Sequence, residues 1–252
     1  MTKRNSYLGI FYTAFLCIFV LLPLLVVAYY ALTDETAAFT GDNFIGFFTN
    51  SRTLGTFVYS IVIAFFTTAV SLLIAYPTAY ILARSSIKKS AVIVTLLVMP
   101  MWINFTLRIT AMKEILSALE GNIAYYPFFN TILCQVYDFL PFMIMPLYTC
   151  ISGVDWSYVE AARDLGAKKR WAFLKVVLPL SMPGIASGIT MVFLPAMTNY
   201  VVLDMIYNST YIMGSLIGSY FAAFDWHRGS MISIILLLFI LAGTFISPGE
   251  ND

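Results

Sequence analysis

Charge is what this sequence most lacks. Asp, Glu, Lys and Arg make up 11% of its 252 residues, against roughly 25% in a typical soluble domain, while 60% of residues are hydrophobic. So much uncharged apolar surface cannot be buried in the core of one chain of this size, so lipid is the solvent it calls for. Histidine is nearly missing: His227 stands alone, near a predicted interface, and is given no metal or proton-relay role. The three cysteines, Cys17, Cys134 and Cys150, lie in apolar stretches without metal-ligand spacing and read as small packing residues. A glycine-rich phosphate loop ending in Gly-Lys-Ser/Thr is absent, which excludes nucleotide hydrolysis by this chain. A net charge of +1 argues against a polyanionic partner such as nucleic acid. Neither a repeat, nor a low-complexity linker, nor an appended soluble domain is visible, so residues 1–252 read as a single transmembrane domain.

What is present is a set of apolar runs. A span needs about 20 mainly apolar residues to cross a core roughly 30 Å thick. Windows at 7–32, 54–83, 91–112, 129–151, 183–203 and 229–246 meet that need, which predicts an all-α integral membrane protein with about six spans. The first is long enough to be a retained anchor rather than a cleaved leader. Pro23, Pro77, Pro100, Pro141, Pro146 and Pro195 fall inside spans, so several helices are expected to kink. Orientation follows from the basic residues in the loops. Lys3, Arg4, Arg84, Lys88, Lys89, Arg163, Lys168, Lys169, Arg170 and Lys175 fall on one side; Arg52, Lys113 and Arg228 fall on the other. That bias predicts both termini on the cytoplasmic side, with Arg108 inside the third span. The outer loops, at 33–53, 113–128 and 204–228, are acidic instead.

The loop at 155–180 is too long and too patterned for a connector. It predicts two short helices, the first capped by Ser157 with Glu160 three residues on, and ended by Gly166 in a left-handed turn. The second, beginning at Ala167, places Trp171, Leu174, Val177 and Leu178 on one face and Lys168, Lys169, Arg170 and Lys175 largely elsewhere. Periodicity alone allows an interfacial helix lying on anionic membrane lipid.

The order of residue types goes further. Glu160-Ala161-Ala162, three residues, Gly166, nine residues, then Val176-Val177-Leu178-Pro179 is similar to the EAA signature of ABC importer permeases, with Val in place of the usual Ile. The resemblance implies that this loop docks on an ATPase subunit through Glu160, Ala161, Ala162, Gly166, Leu178 and Pro179. It also implies an ABC ATPase dimer that binds ATP and Mg, a second homologous permease, an extracytoplasmic binding protein, and a place in the bacterial cytoplasmic (inner) membrane with a type I importer permease fold. Pro100-Met-Trp102-Ile-Asn104-Phe-Thr-Leu-Arg108-Ile, Leu140-Pro-Phe-Met-Ile-Met-Pro-Leu-Tyr148, Glu160-Ala-Ala-Arg-Asp-Leu-Gly-Ala167, Leu194-Pro-Ala-Met197 and Asp225-Trp226 resemble the B-type permease of spermidine/putrescine importers over nearly the whole chain. The C-terminal Phe245-Ile-Ser-Pro-Gly-Glu-Asn-Asp252 departs from that pattern by lacking a basic tail, as a truncation or altered reading frame would make it.

A route for polyamines needs carboxylates and aromatic faces to replace water around ammonium groups. Asp138 within the fourth span and Asp204 at the end of the fifth are the candidates, with Tyr200 and Tyr207 near Asp204 and Trp102 and Asn104 on the third span. Arg108 is a poor cation ligand and is expected to pair with a carboxylate or to anchor a dimer seam. Other cargo for the same kind of machine, such as iron(III), thiamine or an oxyanion, remains the alternative, although an oxyanion would call for clustered basic residues. A secondary transporter would need inverted repeats or coupling-ion ligands, which the sequence does not show.

Overall fold

A computed structural model describes residues 11–84, 90–206 and 212–246. Lys3, Arg4, Lys88, Lys89, Tyr207 and the end of the chain from 247 lie outside the described residues. The described chain is helical, with a lone bridge between Thr33 and Phe39 as its extended pairing. Its helices are α1 (Phe11–Ala31), α2 (Asp42–Thr49), α3 (Ser51–Arg84), α4 (Ser90–Val98) running on as a 3-10 turn through Met99–Trp102, α5 (Phe105–Glu120) and α6 (Pro127–Ser152). Then come α7 (Ser157–Asp164), α8 (Lys169–Leu180), α9 (Met182–Thr198), α10 (Tyr200–Ile206), α11 (Met213–Ala222) and α12 (Trp226–Ile246).

Three of these, α1, α3 and α6, are long and apolar enough to cross a membrane by themselves. Two expected spans are broken. The window at 91–112 is not one helix: α4 and α5 meet at 95° across Ile103 and Asn104. Pro100 makes the chain tighten into a 3-10 turn, and the Asn104 side chain accepts from the Thr106 and Leu107 N–H groups, starting a new helix. Trp102 therefore does not share a helix with Arg108, while Asn104 caps the helix that carries it. The window at 183–203 also breaks, at Asn199, where α9 gives way to α10; at its other end α8 turns into α9 by 62°. Segments expected as outer loops carry helices of their own, α2 and α11.

The contacts divide the chain into two compact units. In the smaller, made of residues up to Phe57 and Met213–Ala242, aromatic rings pack together: Phe57 meets Phe239 edge-on and Tyr30 lies tilted against Trp226. Asn43 Nδ2 donates to the carbonyls of Ala31 and Thr33, and His227 Nδ1 lies 3.0 Å from the Tyr30 carbonyl, so the lone histidine has a structural partner.

The larger unit, Val58–Ile212 with the chain end, is built around α6. Its most extensive partner is α9, and the reason is glycine. A Cβ at Gly184 would lie 2.6 Å from Cys150 Cβ and one at Gly188 would lie 2.6 Å from Met143 Sδ. The four-residue spacing of these glycines lets the two helix backbones approach closely, as small residues do in lipid. A second tie is polar and buried: Thr67 Oγ1 donates to Gln135 Oε1 (2.9 Å), and Gln135 Nε2 donates to the Ala196 carbonyl (3.2 Å). The break at Asn199 ends the regular bonding of α9 just beyond Ala196, and Gln135 supplies that carbonyl with a donor.

Candidate functional site

Two groups of residues matter, both in the larger unit. The first is the loop at 155–180. Ser157 is not its cap. Asp155 Oδ1 accepts from the Ser157 N–H at 2.9 Å, so the side-chain bond at the start of the helix comes from two residues before the one the sequence pattern implied. The bonds to the Ser157 backbone and hydroxyl hold the exposed Asp155 carboxyl below its ordinary pKa. The other end of α7 closes as expected on Gly166, whose φ is +89°. Gly166 N–H donates to Arg163 O (2.9 Å) and Ala167 N–H to Ala162 O (3.0 Å), the paired bonds of a Schellman turn.

Helix α7 rests on one residue, Val159, which packs with Ala172 and Val177 of α8, with Tyr80, Trp156, Phe173 and Val176 around them. Glu160 and Ala161 are exposed and Ala162 is half-buried. Tyr158, Ala161 and Leu165 fall on one outward face at i, i+3 and i+7. Leu165 is 90% exposed, which sequence reasoning missed even though its spacing from Tyr158 and Ala161 was there to see. In α8 the expected apolar face is corrected: Trp171 and Leu174 are exposed, and Ala172 and Val177 are buried. The cause is a π-turn over Phe173–Val177, whose i→i+5 bonding rotates the buried stripe. Trp171 instead lies under the Lys175 ammonium at 5.3 Å. Leu178 is half-buried and Pro179 exposed in the last turn of α8.

The second group is the carboxylates of the spans. Asp138 on α6 pairs with Arg108 on α5; both are buried, and Arg108 Nη2 donates to Asp138 Oδ1. Among the described residues Arg108 Nε and Nη1 have no hydrogen-bond partner. Asp138 is thus not a free carboxylate for a passing cation; its charge is already met. Asn104 is occupied as the helix cap, and Trp102 beside it is 77% exposed. Helix α10 packs Val202 and Ile206 against Ile109, Leu116 and Cys134. That leaves Tyr200 and Asp204, one turn apart, both exposed on its surface. The structure brings Tyr200 and Asp204 onto one short helix and sets Trp102, Asn104 and Asp138 on other elements. Among the described residues no group of three or more His, Cys, Asp or Glu is placed to hold a metal ion.

An exposed helix pair, α7 and α8, is thus seated beside apolar helices of bilayer length. The family described as binding-protein-dependent transport system inner membrane component matches residues 42–248. The chain belongs to that family. This inner-membrane permease is similar to the "Spermidine/putrescine transport system permease protein PotB" of Escherichia coli (strain K12), 33% identical over 245 residues that cover 88% of this chain and 89% of that one. The protein of the same name from Haemophilus influenzae is 34% identical over 260 residues, covering 94% and 91%. Among solved structures, a subunit of a bacterial ABC transporter involved in the import of the acidic polysaccharide alginate superposes with a TM-score of 0.68 over 99% of this permease and 98% of that chain. At 15% identity that likeness shows the fold, an all-helical ABC importer permease.

Proposed function

We propose that this chain is the membrane-spanning subunit of an ATP-driven importer for polyamines, and that α7 and α8 are where an ATPase grips it. The carrying observation is the loop itself: a helix started by Asp155, closed by Gly166, seated on Val159, and presenting Leu165 almost entirely bare. A large apolar side chain exposed to that degree beside Tyr158 and Ala161 marks a surface meant for another protein. On this reading Glu160, Ala161, Ala162 and Gly166 form the coupling contact and Leu178 and Pro179 brace the joint. ATP and magnesium are bound by the ATPase pair, a second homologous permease completes the pathway, and an extracytoplasmic binding protein delivers the cargo. The basic bias of the loops supports a topology with this loop and both termini in the cytoplasm.

The cargo assignment rests on the names of the 33–34% identical relatives and on Asp204 with Tyr200, an acid and an aromatic face one turn apart, which suit an ammonium group. ATPase closure pulls α7, and the spans rock so that the central route faces first one side and then the other. The test is a Glu160→Ala, Gly166→Val double variant. A β-branched residue at φ +89° is strained, about 1–3 kcal/mol, so the turn distorts while the spans remain. Membrane abundance should be unchanged while co-purification with the ATPase and ATP-driven uptake are lost; unchanged association and uptake would remove the coupling role.

A further inference from the structure

Three residues of α3 fall at i, i+4 and i+8 near its Arg84 end: Tyr76, Tyr80 and Arg84. That spacing sets them on one face in successive turns, and each meets a different part of the loop. Tyr76 lies edge-on to Phe173 (centroids 5.8 Å, 88°), and its hydroxyl is 2.9 Å from Ser181 Oγ. Ser181 Oγ spends its one proton on the Leu178 carbonyl at 2.9 Å, so Tyr76 is the donor. Ser181 is the residue at which α8 bends by 62° into α9, and the Tyr76 hydrogen bond therefore holds the elbow itself. Tyr80 stands edge-on to Phe173 (5.5 Å, 89°) and to Trp156 (6.0 Å, 72°), the residue just before α7. Arg84 stacks over Trp156 at 5.4 Å and donates from Nη1 to the Tyr80 hydroxyl at 2.9 Å.

We propose that Tyr76, Tyr80 and Arg84 form a three-rung ladder that fastens the coupling loop to α3, making the loop and the end of that span one moving body. The inference rests on the coupling reading of the loop and adds which span receives the motion. Edge-to-face ring pairs are directional, so they transmit a push or pull sideways as well as along the contact. Val159 alone, a single apolar residue under α7, resists separation but not sliding. The ladder supplies the missing restraint at three points: the elbow at Ser181, the π-turn at Phe173 and the entry to α7 at Trp156. The partners of these rungs are Phe173, Trp156 and Ser181, set apart in sequence from the bare Tyr158–Leu165 face, so gripping the ATPase and passing on its motion are separable tasks.

The experiment uses the complete transporter, permease pair with ATPase, in lipid. Spin labels are attached through Ile81→Cys, exposed on α3, and Lys169→Cys, exposed at the start of α8, in a background without native cysteines. The distance between them is measured without nucleotide and with ATP plus vanadate. In the otherwise unaltered protein it should be the same in both states, with one narrow distribution. In Tyr80→Leu and in Phe173→Leu, which keep apolar bulk but remove the ring geometry, the distribution should broaden and differ between the two states. ATPase co-purification should stay intact and uptake per ATP hydrolysed should fall at least tenfold. Tyr80→Phe keeps the ring and should restore the narrow distribution. A distance that changes with nucleotide in the unaltered protein overturns the proposal, as does a Leu variant that keeps both the narrow distribution and the uptake ratio. A Leu variant too damaged to assemble leaves Tyr76→Phe to decide: it loses only the elbow bond, and an unchanged uptake ratio there counts against the ladder. The distance measurement needs no cargo. Failure of the coupling reading shows separately, as full ATPase association by the Glu160→Ala, Gly166→Val variant.

Discussion

Removing one member of the Arg108–Asp138 pair should cost far more than removing both. The two side chains are 7% and 4% exposed, so either one left alone is a buried charge without a counter-ion. Breaking a buried pair in that way costs about 3–5 kcal/mol, a factor of roughly 100 to 4,000 in the folded-to-unfolded ratio at about 1.4 kcal/mol per decade. The pair as a whole is a poor stabiliser, because among the described residues Arg108 Nε and Nη1 are buried without partners and each unmet donor costs about 1–3 kcal/mol. Arg108→Met and Asp138→Leu should therefore each melt far below the parent protein, while the double variant returns to within about 1 kcal/mol of it or exceeds it. Detergent-solubilised melting curves give the stability, and uptake of labelled spermidine in cells gives the function. A double variant as unstable as the single ones would refute the pairing. A double variant that is stable but transports nothing would mean that the pair serves the route itself.

Gly184→Leu should abolish assembly of the larger unit, because even a Cβ there meets Cys150 Cβ at 2.6 Å and the Pro146 carbonyl at 3.0 Å; overpacking of that kind costs about 3 kcal/mol, and loss of the folded protein from membranes on a blot is the readout. Asp204→Asn removes a charge but keeps the shape. Asp204 is exposed on α10, where an ion pair is worth about 0–1 kcal/mol, so spermidine and putrescine uptake should fall by up to about fivefold with ATPase association unchanged, and full uptake would take Asp204 off the route. Asp155 is held as a carboxylate below its ordinary pKa, so its capping of α7 is complete above the unfolded-state pKa near 4 and fades only as pH falls through the lower folded value; ATPase stimulation should not vary between pH 6 and pH 8 on its account, and a loss there that Asp155→Asn removes would contradict the cap.

Hydropathy located the apolar segments because lipid rewards composition over a length, and α1, α3 and α6 sit where the windows at 7–32, 54–83 and 129–151 put them. It missed the 95° break because a polar residue amid apolar ones does not interrupt a window average. Pro100 followed by Asn104 and then Phe-Thr-Leu-Arg was the signal, a stop and a cap in sequence. The Gly184–Gly188 spacing was equally visible and marks where α9 meets α6. The loop's ends divided in legibility. Gly166 announced its positive φ, whereas Asp155 was passed over for Ser157, since both residues are good caps and only the backbone decides between them. The π-turn in α8 left no trace in the residues, so Trp171 and Leu174 were put on the wrong face. The Arg108–Asp138 pair spans 30 positions, and which carboxylate Arg108 would find is a matter of how α5 folds back on α6.

Leu165 is the most direct handle on the coupling role, because it is the bare tip of α7 and nothing in the fold needs it. A photoreactive amino acid placed at that position, in cells making the complete importer, should on illumination give a covalent adduct between this permease and the ATPase subunit. The adduct should be lost in the Glu160→Ala, Gly166→Val background. Adducts with lipid alone, from a permease that transports normally, would contradict the claim that this helix is the grip.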